Sequence, residues 1–166
     1  MNSDFRDLLQ CLNAARVKYL LVGGYAVMHY SEPRYTKDLD IFVEPSVKNS
    51  RALYRALDAF GAPLSNIDRD TFQEPGILYI CGLPPSRFDI LTRIKGVDFQ
   101  EAWLTRERAS FAGVKTQFLS RQLLIESKKQ AGRLQDKIDI KKLKAVSLAK
   151  GPAKKSGRKA ARKRRS

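Results

Sequence analysis

Two aspartates interrupt an apolar stretch at Asp38-Leu39-Asp40-Ile41-Phe42-Val43. The run reads as a β-strand because it is short, carries β-branched and aromatic residues, and is ended by Pro45. Side chains alternate across a strand, so residues i and i+2 share a face, and the two carboxylates stand about 6–7 Å apart along it. Like charges at that spacing repel unless a cation lies between them, and magnesium, which prefers oxygen donors, suits the pair. Taken alone, the pattern also describes a loop ending at Asp38 and a solvent-facing Asp40.

The flanking segments predict the elements around this strand. Ser3 reads as a helix N-cap, and Phe5, Leu8, Leu9 and Leu12 follow helical spacing over 4–16. Tyr19-Leu20-Leu21-Val22 is a buried strand running into a tight turn at Gly23-Gly24, followed by one or two helical turns over 25–31. Leu53, Leu57 and Phe60 mark one face of a helix over 47–60, stopped by Gly61. Beyond a polar loop (63–76), strands at 77–81 and 87–94 are joined through Gly82, Pro84 and Pro85. A short helix at 98–103, a hairpin over 107–118 turning at Gly113, and helices to about residue 148 with a break at Gly132 complete the pattern. There is no internal repeat. This order predicts an α/β (α+β) fold in which helices pack against a mixed sheet.

The 166 residues, 43% of them hydrophobic, suffice for one domain with a real core. The net charge of +15 is unevenly placed. Residues 1–114 balance 14 basic against 14 acidic side chains, residues 115–149 carry nine basic and three acidic, and residues 150–166 carry nine basic and none acidic. The final stretch has no large apolar residue with which to offset its ordering entropy. The expected organisation is a folded domain over 1–148, with C-terminal helices over 119–148, and a disordered Lys/Arg-rich tail over 149–166. The single His29 excludes a His-rich metal site or a triad, and Cys11 and Cys81, 70 positions apart, exclude a zinc ribbon or a disulfide scaffold. No signal segment or membrane-length apolar run is present, so a soluble, cytoplasmic protein is expected.

Two further features bear on the Asp38–Asp40 pair. Asp89 stands among Phe88, Ile90 and Leu91, and a carboxylate in such a strand needs a specific partner or an exposed edge. Gly23-Gly24 marks a strand-to-helix junction where backbone can approach a ligand closely and a helix N-terminus favours phosphate, although many such pairs are only turns. Together they suggest phosphates held at a glycine turn and metal held by three carboxylates, the layout for metal-assisted attack on a nucleotide phosphate.

The segments LLVGGYAVMHY (20–30), PRYTKDLDIFV (33–43), PSRFDILT (85–92) and LIESKKQAGRLQDKIDI (124–140) keep the order of motifs found in the nucleotidyltransferase superfamily. Within it, the chain resembles the small bacterial nucleotidyltransferases related to the AbiEii/AbiGii abortive-infection toxins, over about residues 5–145. The resemblance implies that Gly23 and Gly24 bind the triphosphate and that Asp38 and Asp40 ligate magnesium. Asp89 would complete the metal site and help deprotonate the acceptor hydroxyl. Lys128 would meet the nucleotide phosphates, Asp136 matches the acidic residue of the last motif, and Arg34 and Thr36 lie where they reach phosphate oxygens. Three positions depart from the pattern: Gly24 replaces a serine, Lys37 stands where a small hydroxyl residue is common, and Leu134 where proline is common. They bear on nucleotide preference rather than on the carboxylates.

The implied reaction is transfer of a nucleoside monophosphate from an NTP to an acceptor hydroxyl, with two magnesium ions. The toxin likeness and the basic C-terminus favour tRNA or another RNA as acceptor, and they raise the prospect of a cognate antitoxin. Two rivals stand beside it: an inactive nucleic-acid-binding module of the same fold, whose tail would bind phosphate backbones regardless, and a small-molecule adenylyltransferase. Other residues have blander readings. Lys129 belongs to a solvated face, Arg133 touches phosphate or simply lies on the surface, Asp139 is structural, Tyr25 and His29 pack in the core rather than flank a base, and Trp103 is a packing residue.

Overall fold

The computed structural model describes residues 2–149, so the expected tail beyond that point lies outside the described residues. Six strands form one mixed sheet: β1 (Tyr19–Val22), β2 (Leu39–Val43), β3 (Leu78–Cys81), β4 (Phe88–Leu91), β5 (Glu107–Phe111) and β6 (Val114–Phe118). Their spatial order is β3-β4-β2-β1-β6-β5. β2 runs antiparallel to β1 and parallel to β4, and the two hairpins β3–β4 and β5–β6 close the edges. The helices are α1 (Ser3–Ala14), α2 (Gly23–Tyr30), α3 (Val47–Phe60), α4 (Phe99–Leu104), α5 (Arg121–Ala131) and α6 (Leu134–Ala149). The mixed α/β architecture expected from the sequence is the one observed.

Local chemistry explains where these elements begin and end. α1 starts one residue earlier than expected: Asn2, not Ser3, is its cap, with the side-chain oxygen accepting from Asp4 N at 2.9 Å. Ser46 caps α3 by accepting from Asn49 N, and Gly61 ends it in the left-handed region at φ 86°. Ser120 and Asp98 cap α5 and α4 in the same way. Gly132, at φ 67°, ends α5 and lets α6 fold back on it.

The central strands carry the core. Tyr19, Leu20, Leu21, Leu39, Ile41 and Val43 are fully buried, and each such side chain stabilises the fold by about 1.5–3 kcal/mol. α1 packs against α3, whereas α2 packs against α5 and α6. Buried Asn49 ties α3 to the sheet by accepting from Lys18 N and donating to the carbonyls of Lys18 and Glu44. The aromatic residues pack as anticipated. Tyr25 meets Phe5 and Phe111 edge-on, His29 stacks on Phe118 and bonds Glu107, and Trp103 stacks on Phe99. No helix among the described residues is long and apolar enough to cross a membrane.

Candidate active site

The strand pairing brings the carboxylates together. Val22 of β1 lies opposite Asp40 of β2, Asp40 opposite Asp89 of β4, and Asp89 opposite Ile80 of β3. Residues directly opposite one another point to the same side of a sheet, so Asp40 and Asp89 face the same space. The alternative of a solvent-facing edge position for Asp89 is thereby removed: β4 is an interior strand and Asp89 is buried. Asp38 sits just before β2 and joins the group through Arg87, which bonds Asp89 and lies 3.5 Å from Asp38 Oδ1. On the far side of Asp89, Leu78 and Ile80 are 55% and 49% exposed, an apolar edge beside the carboxylates.

The two glycines are required by contact. Gly23 has φ 65°, and a Cβ there would fall 2.1 Å from Asp40 Oδ2. A Cβ on Gly24 would fall 2.6 Å from Thr36 Oγ1 and 3.1 Å from Arg34 Nη2. Thr36 Oγ1 also donates to the Asp38 carbonyl at 3.4 Å. The glycine turn, the 34–36 loop and the β2 carboxylates therefore form one close-packed surface at the start of α2.

The C-terminal helices supply the opposite wall. Lys128 of α5 is buried, and its ammonium contacts Asp136 Oδ1 at 3.1 Å and Asp139 Oδ2 at 2.8 Å, both carboxylates on α6. Arg34 reaches the same Asp139 at 3.1 Å, across 105 residues of sequence. Asp136 also accepts from Arg133 N and Nε. Burial alone would raise the Asp136 pKa, but the bonds and charges of Lys128 and Arg133 outweigh it and hold the carboxyl below its usual range. Lys129, one position on, is half exposed and meets only Glu126 among the contacts of the described residues. A cavity of about 180 Å³ opens between the two walls, lined in part by Gly23, Asp40, Lys95, Lys128, Arg133 and Asp136. A larger cavity of about 470 Å³ beside His29, Tyr30 and Arg121 is lined by none of Asp38, Asp40 and Asp89.

Asp40 has an unusual charge state. Burial, then the charges of Asp89 and Asp38, push its pKa up to about 7, with Lys128 and Arg133 pulling the other way. Such crowding is what a divalent cation relieves. Among the described residues no three acidic, His or Cys side chains already surround a common point as an ion cage. The donor set nonetheless fits a hard cation: the carboxylates of Asp38, Asp40 and Asp89 adjoin, they carry surplus negative charge, and Asp38 Oδ1 is buried with no hydrogen-bond partner. Arg87 bonds both oxygens of Asp89.

No protein-family model and no curated protein sequence matches the chain. Solved structures do. A lincosamide antibiotic adenylyltransferase, LnuA, bound to lincomycin superposes with a TM-score of 0.57 at 17% identity, over 88% of this chain and 98% of that one. ANT(2")-Ia in complex with adenylyl-2"-tobramycin gives 0.57 at 14% identity, over 87% of each chain. An antigenic nucleotidyltransferase-like protein from Paracoccidioides brasiliensis gives 0.54 at 19% identity, over 89% of this chain and 75% of that one. The fold is that of nucleotidyltransferases.

Within this nucleotidyltransferase fold, Arg87 and Asp139 have partners that the local sequence pattern does not specify. Arg87 was legible only as the first residue of a strand, although its i−2 spacing to Asp89 places it on the same face. Asp139, read as structural, is the shared counter-charge of Lys128 and Arg34. The signal was its i+3 spacing from Asp136 on a helix following Lys128.

Proposed function

We propose that the protein is a metal-assisted nucleotidyltransferase that moves a nucleoside monophosphate from an NTP to an acceptor hydroxyl. The observation that carries this reading is the placement of unsatisfied polar groups. Among the described residues, Arg34 Nε and Asp38 Oδ1 are the buried side-chain atoms without a hydrogen-bond partner; the Arg34 side chain lies against Gly24, and Asp38 immediately precedes β2. A buried donor and a buried acceptor each cost free energy when unpaired, so such atoms mark places for ligand. Arg34 offers a donor to a phosphate oxygen, and Asp38 offers an acceptor to a cation.

Each side chain has a distinct task in this reading. Gly23 and Gly24 let Asp40, Thr36 and Arg34 close against the backbone at the start of α2, where the triphosphate would lie. Lys128, with Arg133 at the mouth, compensates the charge of the β- and γ-phosphates, and Asp136 and Asp139 hold Lys128 in place. Asp38, Asp40 and Asp89 would hold magnesium, which supplies charge stabilisation to the attacking and leaving oxygens. Asp89 lies on the side away from the glycine turn and accepts the proton of the acceptor hydroxyl. The acceptor oxygen then forms its bond to the α-phosphorus as the bond to pyrophosphate breaks on the Lys128 side.

The acceptor class follows from charge. The surplus of basic residues beyond residue 114 favours an RNA, as in the toxin-like enzymes that the four motifs resemble, and a cognate antitoxin belongs with that reading. A second reading is a small-molecule hydroxyl, favoured because LnuA, solved with lincomycin, is matched over 98% of its length by this chain. The deciding experiment incubates the full chain with each α-labelled NTP, magnesium, and either total cellular RNA or a panel of lincosamides and aminoglycosides. Labelled RNA supports the first reading and a labelled small molecule the second. No transfer to either, with Asp40→Asn indistinguishable from the unmodified protein, favours the inactive binding module.

A further inference from the structure

Arg87 sits immediately before β4, two residues from Asp89, and leaves the strand on the same face. Its guanidinium takes both oxygens of that carboxylate, Nε to Oδ1 at 2.9 Å and Nη2 to Oδ2 at 2.9 Å. The same Nε lies 3.5 Å from Asp38 Oδ1, the buried oxygen without a hydrogen-bond partner. The Arg87 carbonyl accepts from Leu39 N at 3.1 Å, so its backbone is fixed to β2. The preceding segment is pinned as well, because Asn2 Nδ2 donates to Pro85 O and Ser86 Oγ. One positive charge on an anchored stem thus stands between two carboxylates, where the charge pattern asks for a cation.

We propose that Arg87 is the resident counter-ion of the carboxylate set, holding Asp38 and Asp89 in the metal-free protein and competing with the divalent ion for the oxygens of Asp89. The proposal rests on the metal-assisted transfer argued above. A forked guanidinium–carboxylate contact is among the stronger charge-assisted pairs, so an ion that needs Asp89 gains only the difference between its own bonds and those it breaks. The contact is not sealed, however: the Arg87 side chain is 31% exposed and can turn outward while its backbone stays fixed. Once displaced, the guanidinium presents a fork suited to phosphate oxygens. An ion arriving with a polyphosphate therefore gives Arg87 a new partner, whereas a bare ion leaves it with none. Free metal binds weakly, and metal with nucleotide binds well.

The test uses Mn²⁺ alone, titrated into the full chain and followed by the electron paramagnetic resonance of free Mn²⁺. Arg87→Met should bind Mn²⁺ about tenfold more tightly than the unmodified protein. Arg87→Lys should fall between, because an ammonium cannot fork across both oxygens. Lys129→Met is the control for general charge removal: Lys129 is half exposed and pairs with Glu126, away from the carboxylate set. Its Mn²⁺ affinity should stay within about threefold of the unmodified protein. Unchanged affinity in Arg87→Met, or equal tightening in Lys129→Met, would overturn the competition while leaving the metal site intact. Absence of Mn²⁺ binding in every variant at millimolar metal would instead overturn the metal-assisted reading and the competition with it. If Arg87→Met does not fold, Arg87→Lys carries the same test: tightening relative to the unmodified protein supports the competition, and none overturns it.

Discussion

Asp40 and Asp89 are direct partners across the parallel β2–β4 ladder, so two interior strands, rather than a loop, fix the spacing of the carboxylates. Side chains on paired strands move little relative to each other. The like-charge repulsion at this position is consequently not relaxed by backbone motion and must be met by protonation, by Arg87 or by a cation.

The first prediction concerns stability and pH. Asp40 is pushed up to about 7 from an ordinary 3.8. The folded state therefore holds its proton more tightly than the unfolded one, and stability falls as pH rises between those values. Asp40→Asn should raise the melting temperature in metal-free buffer at pH 8, by about 5 °C for a gain on the order of 2 kcal/mol. The gain should shrink towards pH 4, as the pH approaches the ordinary value at which the unfolded-state carboxyl also takes up its proton. Thermal melts with chelator across that range measure it, and a pH-independent gain would refute the crowding.

Gly23→Ala should damage the site more than a glycine substitution elsewhere. It combines a φ of 65° with a Cβ placed 2.1 Å from Asp40 Oδ2, for an expected loss of about 2–4 kcal/mol and of nucleotide binding. Gly113→Ala has a φ of 77° but open space around it, and should cost about 1 kcal/mol. Urea denaturation midpoints for the two variants provide the comparison.

Lys128→Ala leaves Asp136 and Asp139 buried without their shared ammonium, which should cost about 3–5 kcal/mol. Lys129→Ala should fall within about 0.5 kcal/mol of the unmodified protein. Nucleotide affinity, read by calorimetric titration, should drop for Lys128→Ala and hold for Lys129→Ala. Equal effects would place Lys128 outside the phosphate site.

Deleting residues 150–166 removes nine basic side chains and no acidic ones. The salt dependence of RNA binding should flatten by up to about six in the slope of log K against log salt, at about 0.7 per lost phosphate contact. Turnover at saturating acceptor should persist, because Asp38, Asp40, Asp89 and Lys128 all precede the deletion. An unchanged slope in filter-binding titrations would show that the tail does not contact nucleic acid.

What was legible in the sequence was local. The apolar run at 39–43 marked a strand, and Gly61, Gly113 and Gly132 marked turns that the structure contains. Whether Asp89 was interior or on an edge depended on strand order, which no local pattern encodes. The bond from Arg34 to Asp139 joins residues 105 apart, and Arg87 could be assigned a face but not the two carboxylates it spans. Asn2 displaced Ser3 as the cap because its side chain also ties down Pro85 and Ser86, a long-range gain that capping preference does not register.

The turn at Gly132 folds α6 back so that Asp136 and Asp139 close over Lys128. Synthesis runs from the N-terminus, and the strands bearing Asp40 and Asp89 are made well before α6. A nascent chain halted at Gly132 would own every carboxylate of the sheet and yet leave Lys128 and Arg34 without their common anchor. On the nucleotidyl-transfer reading, the nucleotide half of the site would be the last to be assembled, and a ribosome-bound chain should bind no nucleotide until its C-terminal helix is free to dock. Nucleotide binding by a chain truncated after Gly132 would contradict that order.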